Sequence, residues 1–390
     1  MSNQIPISNA EITNSDIEAV TKALRQGYNR HGDCIVRFES RIANLVDRPY
    51  AIAVNSGTAA LKVALTAMGI GPGDEVLVPA FGFVDGAEAI VQLGATPVFV
   101  DCNPRTANMS LRLAEQAITS NTKAILWTET FGNPTGVEEC SALCNKYEIP
   151  MIENSCGAFG GRVGGYPLGR FGRIAVFSFA SDRPITTGEG GMIVTHDDRL
   201  AEACRTLRNH GRSDSAEVRE NQLLDLGCLM EHERPGYSFR MNLMSAALGT
   251  SQLDRLEQVL QKRQEIADQY IRRLGGNSNL MLPDVPSNTL MSWFTFVVRL
   301  SDNFTVEDRD HIIEGFHRHE IGAANYYPVI PHLDWYRRIA GPDTGSYPAA
   351  ESISQRSIAL PMHNQLDQRL VDLICQTLEL LMQQQCFSRE

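Results

Sequence analysis

Lysine is scarce in this chain. Only Lys22, Lys62, Lys123, Lys146 and Lys262 occur among 390 residues, and none lies between positions 146 and 262. Chemistry that needs a lysine amine in the middle of the chain must draw it from far away in sequence. Positive charge is also in deficit. The formal net charge is −11 and the pI about 5.4, and nothing suggests a nucleic-acid binder, which would normally show a basic face. No apolar run approaches the roughly 18–20 residues of a membrane span. Met1 to Ala10 lacks the charged-then-apolar pattern of a secretory leader. The expectation is a soluble, cytoplasmic protein with no nucleic-acid or membrane partner. Regular metal-ligand spacing is absent as well. The nine cysteines are scattered; Cys140 and Cys144 are four apart, but no second pair completes a zinc set. They read as free thiols of a reducing compartment. His317 and His319 are two apart in a helical stretch and face different directions.

With 43% hydrophobic residues, the chain can bury a large core and form two domains. Short apolar runs alternate with helical patterns. Strands are expected at Ala51–Val54, Glu75–Val78, Pro97–Val100, Ala124–Trp127, Met151–Glu153, Ile174–Phe179 and Gly191–Val194. Helices are expected at Thr58–Met68, Gly86–Leu93, Leu113–Thr119 and Glu138–Lys146. This rhythm predicts an α/β fold with a mainly parallel sheet covered by helices, and places ligands at the carboxyl ends of its strands. One long helix is expected from Met244 to Leu274. After it come a strand at Trp293–Arg299 and helices at Asp308–Arg318 and Leu366–Met382. Residues 1–250 are read as a large domain and 251–390 as a smaller α+β domain.

Asn55-Ser56-Gly57-Thr58 stands between a strand and a helix, where free backbone N–H groups and hydroxyls make either a phosphate cradle or an ordinary helix cap. Further strings follow in order: Gly73 to Val84, Gly94 to Asp101, Phe131-Gly132-Asn133-Pro134, Phe177-Ser178-Phe179, Ile185 to Gly191, Leu207 to Gly211 and Ser357 to Met362. Together they resemble the DegT/StrS family of pyridoxal-phosphate (PLP)-dependent sugar aminotransferases, from about Ile12 to Leu381. The resemblance implies fold type I, the aspartate-aminotransferase-like fold, and a homodimer with active sites at the subunit interface. It places Gly57, Thr58 and Ser178 on the cofactor phosphate. Phe83 would stack on the ring, with an ordinary core position as the alternative. Asn29 and His31 fall in a substrate-side loop. Tyr326, Tyr327 and His332 would line the mouth of the site or serve structure alone.

Four positions depart from the family pattern. The lysine that links the cofactor covalently is replaced by Arg183, five residues after Ser178. A guanidinium stays protonated and cannot take that role. The aspartate that keeps the ring nitrogen protonated is replaced by Asn154, a glutamine near the ring by Gly157, and the asparagine of a Gly-Tyr-Asn pattern, which reaches the neighbouring subunit's phosphate, by Ser238. Lys62 reads as a surface residue. Three readings follow. One is a divergent aminotransferase homologue of modified-sugar, cyclitol or natural-product biosynthesis, holding PLP or pyridoxamine phosphate (PMP) non-covalently and acting on a small molecule such as a nucleotide-linked sugar. Another is a lysine-less, PMP-dependent dehydratase-like enzyme. The third dispenses with PLP: an anion-binding enzyme whose pocket is more positive for lack of the aspartate, or an inactive partner in a heterodimer with a paralogue.

Overall fold

The computed structural model describes residues 4–25, 33–212, 232–340 and 345–387. Its centre is a seven-stranded sheet in the order β1-β9-β8-β5-β4-β2-β3. The strands are β1 (Tyr50–Val54), β2 (Glu75–Pro79), β3 (Thr96–Val100), β4 (Thr122–Thr128), β5 (Met151–Asn154), β8 (Ile174–Ser178) and β9 (Gly191–Thr195). Strand β9 is antiparallel to both β1 and β8, and the pairs among β2, β3, β4, β5 and β8 are parallel. Every residue of β5, β8 and β9 is buried, as expected of strands covered on both faces.

The helices that cover the sheet include α2 (Asp33–Leu45), α3 (Gly57–Ala67), α4 (Asp85–Val91), α5 (Leu111–Ala117), α6 (Val137–Lys146) and α7 (Asp198–Arg208), while α1 (Asn14–Arg25) packs on the helix Leu243–Leu253. Cys140 and Cys144 are buried on α6 as free thiols.

The long helix expected from Met244 is two, Leu243–Leu253 and Leu256–Leu274. The break falls where Arg255 turns back to pair with Glu11 at 3.0 Å and Asp16 at 3.1 Å. A second sheet, β10 (Leu280–Met281), β12 (Phe296–Leu300) and β13 (Ser357–Leu360), is antiparallel. Its core gathers Ile266, Tyr270, Trp293, Phe316, Ile374 and Leu378. Ile5 belongs to that core and bridges Ile321, so the chain at Ile5 packs with the second sheet. A small third sheet joins β6 (Arg162–Val163), β7 (Tyr166–Pro167) and β11 (Thr289–Leu290).

Candidate active site

Four chain segments that leave the carboxyl ends of β1, β2, β5 and β8 converge on one place. After β1, Ser56 caps α3: its hydroxyl accepts the Ala59 N–H at 3.1 Å. The next residue, Gly57, lies so close to β8 that an added Cβ would stand 2.9 Å from Ser178 Cβ and 3.0 Å from Cys156 Sγ. Only glycine permits this approach. It brings the first-turn amides of an eleven-residue helix beside the Ser178 hydroxyl. Thr58 is exposed on the same turn. This pocket end fits a phosphate.

Beyond β2, Phe83 is 62% exposed while Phe81 is fully buried. An open ring with one edge contact, to Tyr327 at 6.3 Å, is not a core residue. It is a platform with a free face, which fits a flat heterocycle. Tyr327 stacks on Phe131 at 5.7 Å and on Tyr326 at 4.9 Å, and burial raises the pKa of both tyrosines.

At the end of β5, Asn154 is 3% exposed. Its Oδ1 accepts the Cys156 N–H at a long 3.4 Å. Asp85 opens α4 and is 7% exposed. Burial pushes its pKa up to about 6, although the Gly86 N–H, the Arg183 charge and Asn154 all pull it down. A carboxylate within the field of Arg183 thus stands at the start of α4. The Cys156 thiol is held well above its ordinary pKa by burial and by Asp85, so it is no nucleophile.

Arg183 lies in the loop between β8 and β9. Its guanidinium carbon sits 4.5 Å from the centre of the Phe294 ring, in cation–π contact. One terminal nitrogen is 3.3 Å from Asp182, and the buried Nε has no hydrogen-bond partner among the described residues. Phe294 also explains Gly157. A Cβ there would lie 2.7 Å from the Phe294 ring, so a glutamine in the same place would displace the ring on which Arg183 rests.

No lysine amine reaches this place. Lys22 and Lys123 are exposed, Lys62 bonds Gln92 at 2.8 Å, Lys146 pairs with Glu115 at 2.6 Å, and Lys262 lies 4.0 Å from Glu265. Two further carboxylates are buried, Glu153 on β5 and Glu129 just after β4. Glu153 accepts the N–H groups of Gly169, Phe171 and Gly172, fixing that turn. Glu129 has both oxygens unpartnered, and burial with the Glu153 charge raises its pKa well above the ordinary value.

Among the residues expected at the site, the structure gathers Gly57, Thr58, Phe83, Asn154, Ser178, Arg183 and Tyr327. It does not bring His332 there. That ring lies 3.6 Å from Glu351 and 6.1 Å from Tyr347. Ser238 is exposed in a segment that bridges Asn209, facing solvent in the single chain. Asn29 and His31 lie outside the described residues. Sequence reasoning missed Asp85 and Phe294. An acid two residues after the stacking aromatic, at the start of a helix of small apolar residues, was the available signal for the first. Nothing local marked the second.

A phosphate cradle, an open aromatic platform and a polar group at the end of β5 define a fold type I, PLP-type site. The chain belongs to the DegT/DnrJ/EryC1/StrS aminotransferase family, whose profile matches residues 10–379. It is 31% identical over 369 residues to the spore coat polysaccharide biosynthesis protein SpsC of Bacillus subtilis, covering 94% of each chain. It is also 31% identical over 379 residues to the GDP-perosamine synthase of Escherichia coli, covering 96% of this chain and 97% of the relative. The PMP form of a putative sugar aminotransferase, Spr1654 of Streptococcus pneumoniae, superposes with a TM-score of 0.91 at 28% identity, covering 97% and 99% of the two chains. Among the described residues, no helix is long and apolar enough to cross a membrane, and no group of three or more His, Cys, Asp or Glu could hold a metal.

Proposed function

We propose that this chain is a divergent enzyme of modified-sugar biosynthesis that holds PLP or PMP without a covalent bond and acts on a nucleotide-linked sugar. One observation carries this reading: the phosphate and ring ends of the site fit the cofactor, while Arg183 stands at the place of its covalent anchor and no lysine lies near. When bound, the cofactor supplies an electron sink next to its reactive carbon. Gly57, Thr58 and Ser178 would hold its phosphate, Phe83 would cover its ring, and Asn154 would meet its nitrogen. Arg183 stays charged, so it would act as a fixed cation for an anionic group of substrate or cofactor, not as a base. The substrate class is supported by the GDP-perosamine synthases among the relatives. A dimer is part of the proposal, since Ser238 would reach the cofactor only across an interface. So is a division into units near residue 250.

The test is to incubate the protein with PLP, reduce with borohydride and search for pyridoxyl-lysine by mass spectrometry, with a parallel calorimetric titration of PMP. The expected result is PMP binding and no adduct. A pyridoxyl-lysine in the pocket would overturn the proposal. Absence of PMP binding would leave the site to a different anion. The double variant Arg183→Lys/Asn154→Asp should gain the adduct and the absorbance of a lysine-bound cofactor.

A further inference from the structure

A second cavity lies apart from the cofactor site. It is a cleft of about 520 Å3, solvent at its mouth included, between the outer face of the second sheet and residues 104–107 in the loop after β3. Thr295, Val297 and Arg299, along β12 and the residue before it, line the cleft. Phe296, Val298 and Leu300 alternate with them and face the core on the other side. Ser357 of β13 stands opposite Arg299 in the ladder, so the two side chains share the cleft face, with their Cβ atoms roughly 4.5–5.5 Å apart. Met281, Leu282, Phe131 and Ile353 supply apolar walls. None of Gly57, Phe83, Asn154, Ser178 and Arg183 lines this space.

The polar groups of this face lack partners. Thr295 is 4% exposed and Ser357 1%, and neither hydroxyl has a hydrogen bond among the described residues. A buried hydroxyl without a partner has lost its hydration and gained nothing, until a ligand or an ordered water supplies the bond. Arg299 is a cation without an ion pair among the described residues. Its Nη1 donates to the Pro104 carbonyl at 2.6 Å, and its Nη2 rests against the Met281 sulfur. The acids around it are engaged elsewhere: Asp284, at the cleft, pairs with Arg105 at 2.8 Å, and Asp302 pairs with Arg356 at 3.5 Å. Burial lowers the Arg299 pKa, the response expected of a guanidinium that has lost water without gaining a counter-ion.

We propose that this cleft is a second ligand site, and that it takes a small hydroxylated monocarboxylic acid: the carboxylate on Arg299 and the Ser357 hydroxyl, the hydrocarbon body against Val297, Met281 and Ile353, and the ligand's own hydroxyl on that of Thr295. One unpaired cation matches one negative charge, and walls this apolar do not suit a sugar. Arg299 and Thr295 are four residues apart on one extended segment, roughly 13 Å between their Cα atoms, so the two ends of the ligand are held by different groups. The cleft shares a wall with the cofactor site: Phe131 stacks on Tyr327, and Trp293 precedes Phe294, which carries Arg183. This inference does not rest on the cofactor reading above.

The experiment titrates phenylpropionate, its amide and para-hydroxyphenylpropionate into the wild type and four variants, reading affinity by calorimetry. The wild type should bind both acids, and the uncharged amide at least about tenfold more weakly than phenylpropionate. Arg299→Met should weaken acid binding more than about tenfold, and Ser357→Ala roughly three- to tenfold. Thr295→Val should erase the preference for the hydroxylated acid. Ser357→Ala and Thr295→Val remove hydroxyls that bond nothing in the fold, so their Tm should not fall, and they keep the test readable if Arg299→Met unfolds. Arg183→Met should bind the acids as the wild type does. If phenylpropionate and its amide bind alike, or if the two hydroxyl variants behave as the wild type, the inference fails. Loss of acid binding in Arg183→Met would put the acid in the cofactor site and overturn it as well. If no acid binds, the cleft holds water only; the inference falls and the cofactor reading stands.

Discussion

Replacing Asp85 with asparagine should make the ligand-free protein more stable at neutral pH. The carboxyl ordinarily titrates near 3.8 and burial pushes it to about 6 in the fold. The folded state therefore binds more protons than the unfolded state between those values, and stability from this group falls as pH rises from about 4 to about 6, then levels off. At about 1.4 kcal/mol per pH unit, the ionised group disfavours folding by about 3 kcal/mol at pH 7.5 and by about 1 kcal/mol at pH 4.5. Asparagine has the same shape and carries no charge. Thermal unfolding of the apo proteins at both pH values is the assay. With an unfolding entropy of roughly 2.1 cal/mol/K per residue, 3 kcal/mol corresponds to roughly 3–4 °C in Tm for a chain of this size. The variant should gain about that much at pH 7.5 and about a third of it at pH 4.5. The opposing effect is the Arg183 charge, which loses its attractive partner. If that attraction outweighs burial, the variant will be less stable than the wild type at pH 7.5, and the reasoning is refuted. An equal change at both pH values would refute it too, since it would show that charge is not involved.

Two more substitutions probe the same framework. Gly57→Ala places a methyl 2.9 Å from Ser178 Cβ and 3.0 Å from Cys156 Sγ; it should lower stability by about 1–3 kcal/mol and PMP affinity by more than tenfold, measured by unfolding and by calorimetry. His363 is 3% exposed, with neither ring nitrogen hydrogen-bonded, and burial beside Arg263 lowers its pKa to about 4. The folded state resists protonating it, so its contribution is intact above the ordinary value of 6.5 and is lost as pH falls towards 4, by roughly 2 kcal/mol at pH 5. His363→Gln should flatten the decline in Tm between pH 7.5 and 5; an unchanged slope would show that the ring already finds a proton acceptor.

Strand positions were legible because buried strands leave apolar runs, as at Glu75–Pro79 and Ile174–Ser178. Strand direction was legible only in part. The stretch between Ser178 and Gly191 carries no helical pattern, and a parallel return needs a crossover; that absence is the signal of the antiparallel β9 that the sequence reading did not use, and the same stretch is the loop that carries Arg183. The break at Asp254-Arg255 left no local trace, because it is held by Glu11 and Asp16 from the far end of the chain. Positions 183, 154 and 157 could be read one by one as departures from a family pattern. Their relation to each other could not, since it passes through side chains from other segments.

Those intermediaries change what the departures mean. Taken singly, a lysine lost to arginine, an aspartate lost to asparagine and a glutamine lost to glycine look like three injuries to one site. In the folded chain, Gly157 clears the space that Phe294 fills, and Phe294 carries the Arg183 guanidinium at 4.5 Å. Asn154 carries no charge, but Asp85, buried at the start of α4, does, and the Arg183 charge pulls its pKa down. The site thus holds one fixed cation, Arg183, and one buried carboxylate, Asp85, at the start of α4. A decaying site has no reason to keep a buried carboxylate at a cost of about 3 kcal/mol, because neutralising it is a one-residue change that stabilises the fold. The burial of Asp85 at that cost therefore supports the proposed reading of this pocket as a ligand site.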